Sequence, residues 1–312
     1  MRRILKNGIP LYITIAISLF ASSCEKFLES DSEKQSKHDN DQIKTYITDH
    51  NIQAQKHSSG FYYEVLTANA SGQTLAQNDV VDFYYKISLL DGTLLQDATS
   101  GNPEQVKLLN NAIAPIGLDE GISLMKVGEK FRFYLPSYLA YGSYSDSLFS
   151  PFSNFIVEVE VLKKEKEADI DSGQVDSIDN YVKSHYTNYL KFPNGLYFID
   201  SVSGTGKKPL NGDLVKIDFT RKYLDGSVIR SVNGSSFYIG ASQAVQGLEL
   251  GIGQMSPGGK ATLIMPEGLG FRESMSVVPE KIRKHLVNNR VISNEVLPFS
   301  IIQYDVTLVS VN

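Results

Sequence analysis

The sequence predicts an α+β chain of two related modules, each a curved antiparallel sheet with one short helix packed across it. Three observations lead there. Apolar side chains alternate with polar ones in several short runs, as half-buried strands require. One run per module instead spaces its apolar residues at a helical period. The whole pattern also occurs twice. Ile43, Tyr46, His50, Gly60 and Tyr62 match Ile178, Tyr181, His185, Gly195 and Tyr197. Gly117, Gly121, Met125, Gly128, Lys130 and Pro136 match Gly247, Gly251, Met255, Gly258, Lys260 and Pro266. The offset between these copies stays at about 130 to 135 residues. Asp91-Gly92 likewise pairs with Asp225-Gly226, and Pro151-Phe152-Ser153 with Pro298-Phe299-Ser300.

The elements follow in order. Arg2, Arg3 and Lys6 precede an uncharged run, and small residues lead into Cys24. Residues 1–24 therefore read as a secretory signal. The competing reading is a membrane-spanning helix. The uncharged stretch from Asn7 to Cys24 is at the short limit for that, and it holds Gly8 and Pro10. The small residues before the sole cysteine resemble a bacterial lipobox, which implies lipidation of Cys24 and a membrane anchor. The expected location is the cell envelope of a bacterium, at the outer membrane on its periplasmic or surface face. Residues 25–58 read as a flexible, Ser-rich tether, to about residue 40, followed by a short helix from Gln42 to His50.

Module one is expected over 59–163. Val81, Phe83, Tyr85, Ile87 and Leu89 alternate up to the Asp91-Gly92 turn. Leu118, Ile122 and Met125 share a helix face, then Phe131, Phe133 and Leu135 form a strand, and Phe155, Val157, Val159 and Val161 another. A linker with a helix from Asp179 to Thr187 occupies 164–194. Module two follows over 195–312, with Val215, Ile217 and Phe219, then Leu248, Ile252 and Met255, then Ala261, Leu263 and Met265, and last Ile302, Tyr304, Val306 and Leu308. It carries an insertion at 272–296, in which Val278, Ile282 and Leu286 predict a helix from Pro279 to Arg290. Lys281, Arg283, Lys284 and Arg290 colour its other faces. Two readings of that helix stand: a cover over the sheet edge, which is favoured, and a flap that binds unfolded clients beside the pocket.

Composition excludes several classes. A single cysteine leaves no internal disulfide framework and no multi-cysteine zinc site. The five histidines show no ligand spacing, so no metal is expected. A net charge of −5 argues against nucleic acid as a partner. No strand-to-GxGxxG-to-helix unit points to a dinucleotide, and no cofactor is expected. His50 and His185 recur at one helix position, which fits capping or packing better than ligation. The glycines of the repeated motifs read as turn markers rather than phosphate cradles.

Gly117 to Lys130 (GLDEGISLMKVGEK) followed by Leu135 to Gly142 (LPSYLAYG) resembles the FKBP family of peptidyl-prolyl isomerases. Gly247 to Lys260 (GLELGIGQMSPGGK), Met265 to Phe271 and Phe237 to Gly240 (FYIG) carry the same resemblance in module two. It implies two FKBP-like domains, each a twisted antiparallel β-sheet wrapped around a short α-helix. It also implies peptidyl-prolyl cis-trans isomerase activity that assists folding of exported proteins, with proline-containing polypeptides as clients. The alternative is a catalytically weak or inactive FKBP-like chaperone or binding scaffold.

An X–Pro bond crosses a barrier of roughly 18–20 kcal/mol while twisted. The twisted amide is less charge-separated than the planar one, so an apolar aromatic recess favours it by shape and desolvation, without a nucleophile. In module one the resemblance assigns catalytic roles to Tyr141, Tyr85 and Asp97, and substrate contacts to Leu95, Leu118 and Val157. The family's carboxylate position falls at Gln96, one residue before Asp97, and a one-residue slip turns a strand side chain to the other face. Asp97 also reads as a solvated turn acid, and Tyr85 and Phe219 equally as strand core. Pro115 removes a backbone donor that relatives offer. In module two the pocket positions fall at Phe219, Ile229, Phe237, Val245, Leu248, Phe271 and Tyr304. Phe271 lacks the hydroxyl of its counterpart Tyr141, and Arg230 stands at the acidic position. Module one, which keeps both phenols, is the expected active copy.

Overall fold

The structure is a computed structural model that describes residues 30–272 and 274–312. The signal and the lipidation site at Cys24 lie outside the described residues. Among those described, no helix is long and apolar enough to cross a membrane.

Each module is built on one antiparallel sheet. In module one the strands run in the order Gln55–Lys56, Tyr62–Thr67, Lys130–Leu135, Phe155–Glu165, Val80–Leu89 and Leu94–Ala98, with Glu104–Lys107 also on Val80–Leu89. Module two repeats this as Leu190–Lys191, Tyr197–Val202, Lys260–Met265, Ile302–Val311, Leu214–Lys222 and Val228–Tyr238. The alternating residues behave as their period requires. Val81, Phe83, Tyr85 and Ile87 all point into the module one core, and Val215 and Ile217 into that of module two.

The short helices Gly117–Ser123 and Gln246–Ile252 lie on the concave face of each sheet. Gly121 and Gly251 permit the close approach. A Cβ at Gly121 would stand 2.9 Å from Phe133, and one at Gly251 would stand 2.3 Å from Leu263. These glycines therefore serve helix-to-sheet packing rather than a turn. Gly128 and Gly258, at φ +81° and +83°, are the turn formers.

The longer helices depart from expectation at their starts. The first runs Asp31–Asp49, so the tether reading fails from Asp31 onward. Ser30 and Glu33 form a capping box that fixes the start. The second runs Glu167–His185 and ends before Thr187. Both pack on the outer faces of the sheets. Ile43 buries against Tyr134 and Ile156, and Ile178 and Val182 against Tyr197, Ile199 and Ile264. Asp39 accepts from the Ser137 N–H at 3.1 Å, and Gln174 accepts from the Glu267 N–H at 2.7 Å. His50 and His185 stack on Tyr46 and Tyr181 at 4.1 Å, each with Nδ1 2.8 Å from that tyrosine's carbonyl oxygen. Their role is local packing.

The insertion joins the two modules. Ser276–Val277 pairs in parallel with Ile113–Ala114 of module one. A 3-10 turn Glu280–Ile282 then leads into the helix Arg283–Asn288, shorter than the expected Pro279 to Arg290. Val278, Ile282 and Leu286 are buried, as their spacing requires, but in the core of module one. The favoured reading of a cover over a sheet edge is thus corrected. Arg283 is only 2% exposed, against its expected place on the outer face.

Candidate functional site

The concave face between sheet and short helix forms a recess in each module, and the two recesses differ. In module one Tyr85, Leu95, Leu118 and Val157 are all buried in one cluster, with Tyr141 packed against it. The same cluster includes Val277, Val278, Ile282 and Leu286 from the insertion. The recess is filled by the chain itself.

The contacts there are ordered. The N–H groups of Ser276 and Val278 donate to the carbonyls of Ala112 and Ala114, both at 2.7 Å. The Tyr141 hydroxyl lies 2.9 Å from the Val278 carbonyl oxygen and 3.1 Å from that of Ala114. The Tyr85 hydroxyl accepts from the Glu280 N–H at 3.0 Å. Pro279, buried, sits between those two anchors. Burial pushes both phenols well above their ordinary range, so both keep their protons. Ala114-Pro115 and Val278-Pro279 are cis peptide bonds.

Asp97 does not join the site. Its carboxylate is exposed, accepts from the Thr99 hydroxyl at 2.6 Å and lies 3.9 Å from Lys86 Nζ. The Thr99 hydroxyl holds it below the usual carboxylate range. Gln96 reaches the recess instead, accepting from the Lys281 N–H at 3.3 Å. The pairing explains this: Gln96 stands opposite inward-facing Ile87 and Asp97 opposite Lys86, so ordinary alternation turns Asp97 to the other face.

Module two holds an open recess of about 590 Å³. Phe219, Phe237, Val245, Leu248, Phe271 and Tyr304 line it, while Ile229 packs beside the same core without lining it. Arg230 is exposed and is not among the lining residues. The cation in this recess is Arg221, 8% exposed. Its guanidinium carbon lies 4.6 Å from the centre of the Phe271 ring, and Nη1 lies 3.4 Å from the Tyr304 hydroxyl. Among the described residues, Glu295 approaches Nη2 to only 3.9 Å, and Nε has no hydrogen-bond partner. A shallower depression of about 740 Å³ beside the N-terminal helix shares no residue with either recess.

Sequence reasoning missed Arg221. The signal was present, because Arg221 stands two residues after Phe219 in an alternating strand and so shares its face. Its counterpart by that register is Ile87, buried in module one. A guanidinium stacked on an aromatic ring in a desolvated recess is stabilised by about 2 kcal/mol. It offers planar donors to a carbonyl or carboxylate oxygen.

The family model described as FKBP-type peptidyl-prolyl cis-trans isomerase matches residues 72–162 and 205–309. The peptidyl-prolyl cis-trans isomerase FKBP9 of Homo sapiens is 28% identical over 200 residues, covering 63% of this chain and 31% of that protein. The chain thus spans about a third of the length of that relative. The FKBP-type peptidyl-prolyl cis-trans isomerase FkpA of Aeromonas hydrophila is 36% identical over 111 residues, covering 35% of this chain and 40% of that one. The crystal structure of FkpA from Escherichia coli matches with 26% identity and a TM-score of 0.36, over 43% of this chain and 64% of that one.

Proposed function

Because the chain belongs to the FKBP-type peptidyl-prolyl cis-trans isomerase family, we propose that it binds and isomerises X–Pro bonds of exported polypeptides, with module two as the working site. The observation that carries this reading is the open aromatic recess of about 590 Å³ in module two, beside a filled one in module one. The recess accepts a proline ring among Phe219, Phe237, Leu248 and Tyr304. Arg221 supplies the hydrogen-bond donors that Phe271 lacks. The expectation that module one is the active copy is set aside, because a client meets Val278 and Ile282 there first. The basic start and the small residues before Cys24 support export and a lipid tether to a bacterial membrane.

A protease-coupled assay with a proline peptide and the full chain tests the activity. The expected result is a rate above buffer that a pocket-directed macrolide suppresses. A rate equal to buffer refutes turnover. The second reading, a client-binding scaffold without turnover, is favoured by one specific observation: Phe271 carries no hydroxyl where Tyr141 has one. Suppressed aggregation of a denatured client, without isomerase activity, distinguishes it.

A further inference from the structure

We propose that the module one recess is a peptide-binding site loaded with a ligand from its own chain, the segment 276–281. Outside polypeptide then enters only by displacing that segment. The inference rests on the geometry of module one and not on turnover in module two.

The contacts have the form of ligand recognition. The segment adds a short parallel strand to Ile113–Ala114, the mode by which an extended peptide joins a strand edge. The Tyr141 hydroxyl, the Tyr85 hydroxyl and the Gln96 amide oxygen all engage main-chain groups, those of Val278, Glu280 and Lys281. Main-chain anchors of this kind are available to a peptide that runs extended to a proline and then turns. Val277 and Val278 are fully buried and Pro279 follows them, so the preferred ligand is an apolar pair preceding a proline.

Two further points separate a ligand from ordinary core. The fold does not need the recess filled, since the equivalent recess of module two stands open. The segment also belongs to an insertion outside the elements the two modules share, while Tyr85, Gln96 and Tyr141, which hold it, belong to module one itself. A tethered ligand acts at an effective concentration of the order of mM, so a free peptide competes poorly until the segment is released.

The test uses the full chain and a fluorescent peptide of sequence SMSVVPEKIR, copied from residues 274–283. Val277→Asp with Val278→Asp releases the segment without altering a recess residue of module one. The released chain binds the probe at least tenfold more tightly than the unmodified chain, and adding Tyr141→Phe reverses part of that gain. Equal binding by the released and unmodified chains overturns the proposal. Hydrogen exchange on the unmodified chain decides the matter even if the double variant fails to fold. The amides of Ser276 and Val278 exchange ahead of sheet amides such as Phe133 and Val157, and excess probe speeds them further. Exchange at the sheet rate, unmoved by probe, overturns the proposal equally.

Discussion

Replacing Arg221 with methionine tests the chemistry assigned to module two. Methionine keeps an unbranched side chain of similar reach and removes every donor. Arg221 is 8% exposed, its guanidinium stacks on Phe271 at 4.6 Å, and its Nε has no hydrogen-bond partner among the described residues. A substrate oxygen reaching it would form a charge-assisted hydrogen bond worth about 1.5–3 kcal/mol. At about 1.36 kcal/mol per factor of ten, its loss lowers kcat/KM roughly 10- to 150-fold. The division between constants carries the detail. A rise in KM alone means Arg221 grips the ground state, and a fall in kcat means it acts on the twisted amide. Arg221→Lys keeps the charge and loses the planar stack on Phe271, so most of the loss persists. Stability supplies the control. The lost stack on Phe271 is worth about 2 kcal/mol, so the methionine variant melts only modestly lower than the parent and stays folded in the assay. An unchanged kcat/KM with unchanged peptide affinity refutes the role given to Arg221. A large drop in Tm would make it structural.

Leu286→Ala truncates a fully buried anchor of the insertion in the module one cluster and costs about 2–5 kcal/mol. It should show as faster exchange at Ser276 and Val278, with Leu263 and Ile264 in the module two sheet little affected. Gly251→Ala places a methyl 2.3 Å from Leu263 and should destabilise module two by about 1–3 kcal/mol in thermal melts. Ser30→Ala removes the cap of the first helix and should cost about 1 kcal/mol, read as lost helicity by circular dichroism. Cys24→Ser should move the chain from the membrane to the soluble fraction, and unchanged fractionation would refute the lipid tether.

Much of the fold was legible because its signals are local. Alternation along Val81 to Leu89 and the helical spacing of Leu118 and Ile122 are properties of short segments, and the repeat confirmed each against a second copy. The helix start at Asp31 was also written in the sequence as Ser30 and Glu33, but the Ser-rich composition around it read as a tether. Asp97 faces away because ordinary strand alternation places it opposite Lys86, while Gln96 lies opposite Ile87 on the core face. Arg221 was legible by its spacing from Phe219, yet a charge at a strand position reads as solvent-facing until the opposing walls are known.

By itself the sequence determined that the chain is two copies of one sheet-and-helix unit, because patterned burial within each segment dictates strand and helix. Of the side chains around the module two recess it named Phe219, Phe237, Val245, Leu248, Phe271 and Tyr304, and it missed Arg221, Ile217, Ser235, Ser236 and Gln243. Only the tertiary structure decided that one recess is occupied and the other open. The period of Val278, Ile282 and Leu286 marks a face that needs covering but does not name the partner. Apolar burial is non-directional. The choice of module one fell to the carbonyls of Ala112 and Ala114 and the hydroxyls of Tyr85 and Tyr141, which meet the insertion only when the chain is folded.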